Sequence, residues 1–204
     1  PAGPPPFFAS GVPLQTGAGA VVQTSTVTAG TTVGSGAIGP SSGTLVTGCR
    51  VPSAFRDGIS ASSSDNVTVE SCVFQGFGRD GIKLNANARI RDCTVIGNGA
   101  NGGGIELGAG AVVSGCTVTN NGDAGISTGS NCIIEKCVAT GNVTTGILVT
   151  DGASLSGCTA NSNTGAGIQV GAAASLSGCS AKSNTGAGIQ AGSAASLSSC
   201  SANS

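Results

Sequence analysis

Eight cysteines in this chain keep a fixed beat. Cys49, Cys72, Cys93, Cys116, Cys137, Cys158, Cys179 and Cys200 are separated by 23, 21, 23, 21, 21, 21 and 21 residues. An isoleucine column runs beside them: Ile38, Ile59, Ile82, Ile105, Ile126, Ile147, Ile168 and Ile189. The Cys-to-Ile distance is 10 everywhere except from Cys93 to Ile105, where two further residues enter. Near the C-terminus the unit is almost perfect: residues 153–172 read ASLSGCTANSNTGAGIQVGA and residues 174–193 read ASLSGCSAKSNTGAGIQAGS. A period of 21–23 residues demands a stacked array, because one such unit has no way to bury its own apolar residues.

Inside each unit the alternation has period 2, the mark of strands, and nowhere the 3.6-residue period of a helix. In residues 66–74, NVTVESCVF, Val67 and Val69 face one way and Thr68 and Glu70 the other. A bend at Ser71 resets the phase, so that Cys72 and Phe74 face inward again. A third short strand carries Ile82 and Leu84. Three strands per unit, joined by Gly, Asn and Ser turns, make one coil of a parallel β-solenoid. Coils stacked about 4.8 Å apart pair every strand with its equivalents above and below. Four inward columns follow: the isoleucines; the residues two beyond them; the residues three before each Cys (Val46 to Leu197); and the residues two after each Cys. The last column runs Val51, Phe74, Val95, Val118, Ala139, Ala160, Ala181 and Ala202, so the core is expected to narrow toward the C-terminus. The two-residue insertions are expected at turns, leaving strand register intact.

Residues 1–37, rich in Pro, Gly and Thr, fit the repeat less well. They are read as an N-terminal arm and cap or an irregular first coil, with Phe7 and Phe8 as bulky anchors; residues 38–204 are the repeats. The opening PAGPPPFF suits a mature or trimmed N-terminus. At the other end the sequence stops in mid-coil, which suggests either a piece of a longer chain or a face covered by another molecule.

The recurring Gly-Ile-x-(V/L) and (V/I/L)-x-x-Cys-(T/S/V)-(A/V) segments, with their Asn-containing turn, resemble right-handed parallel β-helix repeats of the pectate-lyase-like superfamily. They resemble most the cysteine-laddered bacterial repeat proteins without assigned activity. The resemblance covers residues 38–204. It implies an all-β, single-stranded right-handed parallel β-helix (solenoid) of about eight coils. It is specific for fold and weak for function, since that fold hosts lyases, hydrolases, epimerases, tailspikes and structural proteins.

The candidate residues are therefore ladders. The eight repeat cysteines, with Cys132 in a neighbouring inward slot, read as buried thiols used as small hydrophobes. Vertical disulfides are the alternative, although parallel side chains hold Cβ atoms farther apart than a disulfide prefers. Metal or redox work is a third reading, disfavoured by the absence of His and of closely spaced ligands. Asn98, Asn121, Asn142, Asn163 and Asn184, each five after a Cys, read as a hydrogen-bonded asparagine ladder that also tolerates left-handed turn geometry. Ile59, Ile82, Ile105, Ile126, Ile147, Ile168 and Ile189 form the isoleucine ladder, and the glycines before them read as turn glycines. Arg56-Asp57 and Arg79-Asp80 recur within RDGI, and Lys83/Glu106 and Glu70/Arg91 are stacked pairs of opposite charge. Pairs of that kind are ordinary sheet stabilisation. A catalytic reading takes the charged middle from Arg50 to Lys136 as a groove for an acidic sugar. Against it, the chain offers no His, no Tyr or Trp to stack a sugar ring, and no calcium-binding aspartate cluster. A threonine-based ice-binding face is disfavoured because the column after each Cys is interrupted by Val and Ser.

Charged residues are 8%, about a third of the usual fraction, and the net charge is −1. Nucleic acid and anionic membranes are not expected partners, and no apolar run is long enough for a membrane span. The expectation from sequence is a secreted or cell-surface structural protein, a rod or a filament subunit pairing head to tail with copies of itself, not an enzyme and without a cofactor. The alternative is a polysaccharide-binding or polysaccharide-degrading β-helix, lyase- or hydrolase-like, that meets a glycan on the outer face around Lys83, Arg91 and Glu106.

Overall fold

The computed structural model describes residues 14–23, 36–51 and 56–203. Among them there is no helix. Strands of two to five residues stack into three parallel sheets of nine, nine and eight strands. Sheet A runs from Leu14–Gln15 to Ile189–Ala191 and carries the isoleucines. Sheet B runs from Val21–Gln23 to Ser196–Ser198. Sheet C runs from Arg50–Val51 to Ser201–Asn203. Each coil contributes one strand to each sheet, giving an all-β solenoid of about eight coils. Register follows the sequence columns: Ile82, Ile105 and Ile126 are successive partners, as are Ile90, Val113 and Ile134. The two extra residues between Cys93 and Ile105 lie in the turn around Gly99 and Gly102, and Ile105 still pairs with Ile82. Phe7, Phe8 and most of the segment read as a cap lie outside the described residues. Leu14–Gln15 and Val21–Gln23 add one strand each to sheets A and B.

The inward columns form one continuous core. Ile38 through Ile168 are fully buried, as are Val69, Ile90, Val113 and Ile134 on sheet B and Phe74, Val95, Val118 and Ala139 on sheet C. The sheet C column shrinks from Phe to Ala as expected. In the same coils the sheet B column holds Ile134, Leu155 and Leu176, which stay buried opposite the alanines. Ile189 and Leu197, in the last described coil, are half-buried and exposed, having no coil above them.

Every residue with positive φ among those described falls in one of three columns: six before a Cys, one before it, or four after it, with Gly19 extending the first. These are the three corners of the coil. The left-handed conformation turns the chain and restarts the in–out alternation, which is why Ser71 (φ 53°) resets the phase before Cys72. Asn66, Asn87, Asn120 and Asn131 hold corners, as short polar side chains can. The ladder asparagines do not. Asn98 follows the corner residue Gly97 and is itself absent from the left-handed region, so the turn role assigned to the ladder belongs one residue earlier.

Instead, the ladder side chains point inward. Asn121, Asn142 and Asn163 are at most 1% exposed. The Asn142 amide donates to Asn163 Oδ1 (3.0 Å) and Val118 O (3.3 Å), and Asn142 Oδ1 accepts from Asn121 N (3.1 Å) and Nδ2 (2.9 Å). Each rung thus completes the backbone of its neighbour, a requirement for polar groups in a dry core. Phe77 occupies the equivalent slot in an earlier coil. Its N–H donates to Asn98 Oδ1 (3.2 Å), and its ring lies 6.3 Å from that of Phe74.

The glycines before the isoleucines are also reassigned. Gly81, Gly104, Gly125 and Gly146 do not have positive φ. They face the ladder: a Cβ on Gly125 would lie 2.6 Å from Asn142 Nδ2 and 2.7 Å from Gly146 O. Close approach, not turn geometry, requires glycine here. None of the nine cysteines is in a disulfide. Their thiols donate to nearby carbonyls, as Cys93 Sγ does to Arg91 O (3.2 Å) and Val69 O (3.6 Å). Hydrogen bonding to the sulfurs above and below, and then burial, push the Cys93 and Cys137 thiols up.

Candidate functional site

With the core filled by apolar and ladder side chains, chemistry has only the outer faces. On sheet A the outward residues one after each isoleucine are Ser60, Lys83, Glu106, Ser127 and Leu148, successive in register. Two before the isoleucines stand Asp57 and Asp80. The RDGI repeat places these two carboxylates one above the other at the edge of sheet A, where they are 2% and 3% exposed. Asp80 N–H donates to Asp57 Oδ1 (3.3 Å), and Gly103 N–H donates to Asp80 Oδ1 (2.9 Å). A buried carboxylate at each level thereby serves the backbone of the next coil. The column ends where Gly103 replaces a third aspartate.

Arg56 Nε lies 3.6 Å from Asp57 Oδ2. Asp80 Oδ2 has no hydrogen-bond partner. Its nearest cation, Lys83 Nζ, stands at 3.7 Å, while the same ammonium donates to Glu106 Oε2 at 2.8 Å. The Glu106 hydrogen bond, with the charges of Glu106 and Asp80, holds Lys83 above its ordinary value, so it stays a cation. Beside this group opens a cleft of about 230 Å³ lined by Asp80, Glu106, Asp123, Ser127, Thr144 and Leu148 among others. Thr144 Oγ1 donates to Asp123 Oδ1 (2.8 Å) across its rim. The cleft is below the ~300–1,000 Å³ of drug-sized pockets and suits one saccharide unit.

Burial pushes the Asp57 carboxyl up, against the lowering effect of the Asp80 N–H; the charge of Asp80 adds to the rise. A carboxyl whose folded value is raised stabilises the fold most when protonated. That contribution is full below the ordinary 3.8 and is lost as pH rises through the higher folded value. Asp57→Asn keeps the Oδ1 acceptor and cannot ionise. Urea melts across the acid range are expected to show wild type losing stability over this window relative to Asp57→Asn. Parallel curves would refute the assignment.

The charged middle of the sequence does not form one groove. Lys83 and Glu106 lie on sheet A, whereas Arg91, 3.8 Å from Glu70, lies on sheet B and Arg50 on sheet C. Arg91 therefore leaves the glycan face proposed for it. The sequence did not single out Asp123 and Thr144, because their column holds Arg56, Arg79 and Gly102 in earlier coils and gives no periodic signal. No group of three or more His, Cys, Asp or Glu among the described residues could hold a metal ion. No helix among them is long and apolar enough to cross a membrane.

Three parallel sheets, one strand of each per coil, with ladders inside, define a parallel β-helix. Residues 35–181 match the family of right-handed β-helix regions, and the chain belongs to that family. No curated protein matches it in sequence. Among solved structures it is similar to the A-module of mannuronan C-5 epimerase AlgE4 of Azotobacter vinelandii (TM-score 0.62, 13% identity, 95% of this chain and 64% of that one). It is similar also to pectate lyase Pel9A (0.63, 12%, 96% and 68%) and to the periplasmic alginate epimerase AlgG (0.52, 13%, 76% and 52%). The chain thus spans about two thirds of the epimerase module's length. At these identities the likeness is one of fold. It nonetheless corrects the expectation that such a chain is not an enzyme: the same coil is the framework of a lyase and two epimerases, so the repetition itself gives no ground for a purely structural role.

Proposed function

We propose that the chain is a polysaccharide-active β-helix that binds a glycan along the outer face of sheet A, with Asp80, Lys83, Glu106 and Asp123 as its working groups. The observation that supports this is a buried carboxylate oxygen with no hydrogen-bond donor, beside the Lys83 ammonium, at the wall of a cleft sized for one sugar. A sugar supplies the missing donors through its hydroxyls, while Lys83 and the carboxylates offer opposite charges across one saccharide unit. A shared fold with enzymes acting on pectate and alginate is in keeping with this reading, and the periplasmic location of AlgG with a place outside the cytoplasm. The rod or filament role expected from the sequence has repetition alone in its favour. The glycan reading has repetition and a furnished cleft.

A panel of pectate, alginate, xylan and chitosan tests it, by affinity electrophoresis and by release of new chain ends. At least one polymer is expected to retard or be cut by the protein. Lys83→Met is expected to change that interaction by about tenfold or more, because it removes the cation shared by Asp80 and Glu106. No interaction with any polymer, or none affected by Lys83→Met, would overturn the proposal.

A further inference from the structure

The cleft on sheet A is charged in one sense. Its lining carries three carboxylates, Asp80, Glu106 and Asp123, and no cationic side chain. Lys83 stands beside it, already engaged with Glu106 at 2.8 Å. Arg56 and Arg79 precede Asp123 in its column by three and two coils, and neither lines the cleft. A uronate placed here would meet three like charges, and its one nearby cation would first have to leave Glu106. Like-charge juxtaposition of this kind rejects a ligand more firmly than a single ion pair attracts it.

The complementary ligand is a donor with positive charge. Asp80 is 3% exposed, and its Oδ2 lacks any hydrogen bond. Lys83 covers that oxygen at 3.7 Å, too far to satisfy it. Lys83 is 28% exposed and has its better bond to Glu106, so a ligand that displaces it from Asp80 leaves that bond in place. Asp123 is exposed, lines the cleft and has one oxygen bonded to Thr144. Leu148 supplies an apolar patch for the face of a sugar ring.

We infer that this cleft binds an amino sugar, its ammonium seated between Asp80 and Asp123, and that the glycan taken by the protein is cationic and not a uronate. The inference rests on the polysaccharide reading above and narrows it to one charge class.

Calorimetric titration of the full chain with three probes tests it: glucosamine oligomers, their N-acetylated counterparts, and oligogalacturonate. Glucosamine oligomers are expected to bind, more weakly as salt is raised. N-acetylation is expected to weaken binding by about tenfold or more, the worth of one charge-assisted hydrogen bond. Asp123→Asn, an exposed substitution that leaves the core untouched, is expected to do the same to the free amine and to weaken the N-acetylated oligomer by a smaller factor. Equal binding of the free amine and the N-acetylated form overturns the inference. Tighter binding of oligogalacturonate also overturns it while leaving the polysaccharide reading in place. Failure of all three probes, together with every polymer of the panel, overturns both.

Discussion

Replacing Asn142 by alanine is expected to lower the stability of the solenoid by about 4 kcal/mol, read from urea unfolding, because several buried groups lose their partners together. Asn121 N–H and Nδ2 both donate to Asn142 Oδ1, and Val118 O and Asn163 Oδ1 both accept from its amide. Each buried orphan costs about 1–3 kcal/mol, and the groups lie where water has no access. The outward Thr119→Ala, on the neighbouring coil, is expected to change stability by less than about 0.5 kcal/mol. A loss below about 1 kcal/mol for Asn142→Ala would mean that water or a rearranged rung satisfies the ladder, and would refute its structural weight.

Gly104→Ala is expected to cost about 3 kcal/mol, the upper range for overpacking a filled core. Its Cβ would run into Val118 Cγ1 and sit 2.5 Å from Gly125 O and 2.9 Å from Asn121 Nδ2. Gly125 O already accepts the Ile105 N–H at 2.9 Å, so that carbonyl cannot retreat without breaking sheet A. Gly97 makes the comparison sharp. It has φ +67° and nothing within 4 Å of a built Cβ, so Gly97→Ala is expected to cost only the ~1 kcal/mol of a left-handed alanine. If the two substitutions cost the same in urea melts, Gly104 is a turn glycine after all, as its place in the sequence first suggests.

Most of the fold is legible in the chain because the period makes each inward column visible eight times over. Val69, Cys72, Phe74 and Ile82 face inward for the reason their alternation gives, and the bend at Ser71 is where the phase of the pattern breaks. The misreadings share a cause. The glycine before an isoleucine and the ladder asparagine of the next coil lie apart in sequence and meet only when coils stack, as Gly125 meets Asn142. From sequence, the glycine looks like a turn residue and the asparagine like a ladder that also holds a left-handed corner. Stacking presses one against the other inside the core, and only the ladder part of that reading stands. Likewise Arg91 is eight residues from Lys83 yet on another sheet, because a corner lies between them.

The site was harder to read than the ladders because nothing about it repeats. RDGI appears twice and then stops, and Asp123 and Thr144 occur once each. The sequence by itself determined the period, the three strands per coil, the inward columns and, among the described residues, the absence of a helix, since those follow from side-chain spacing along the strand. Only the tertiary structure decided which charges share a face, that Asp57 and Asp80 are buried and stacked, and that one oxygen of Asp80 has no donor beside a cleft. Those properties depend on how far each corner turns the chain, and a turn angle leaves no mark in the spacing of residues.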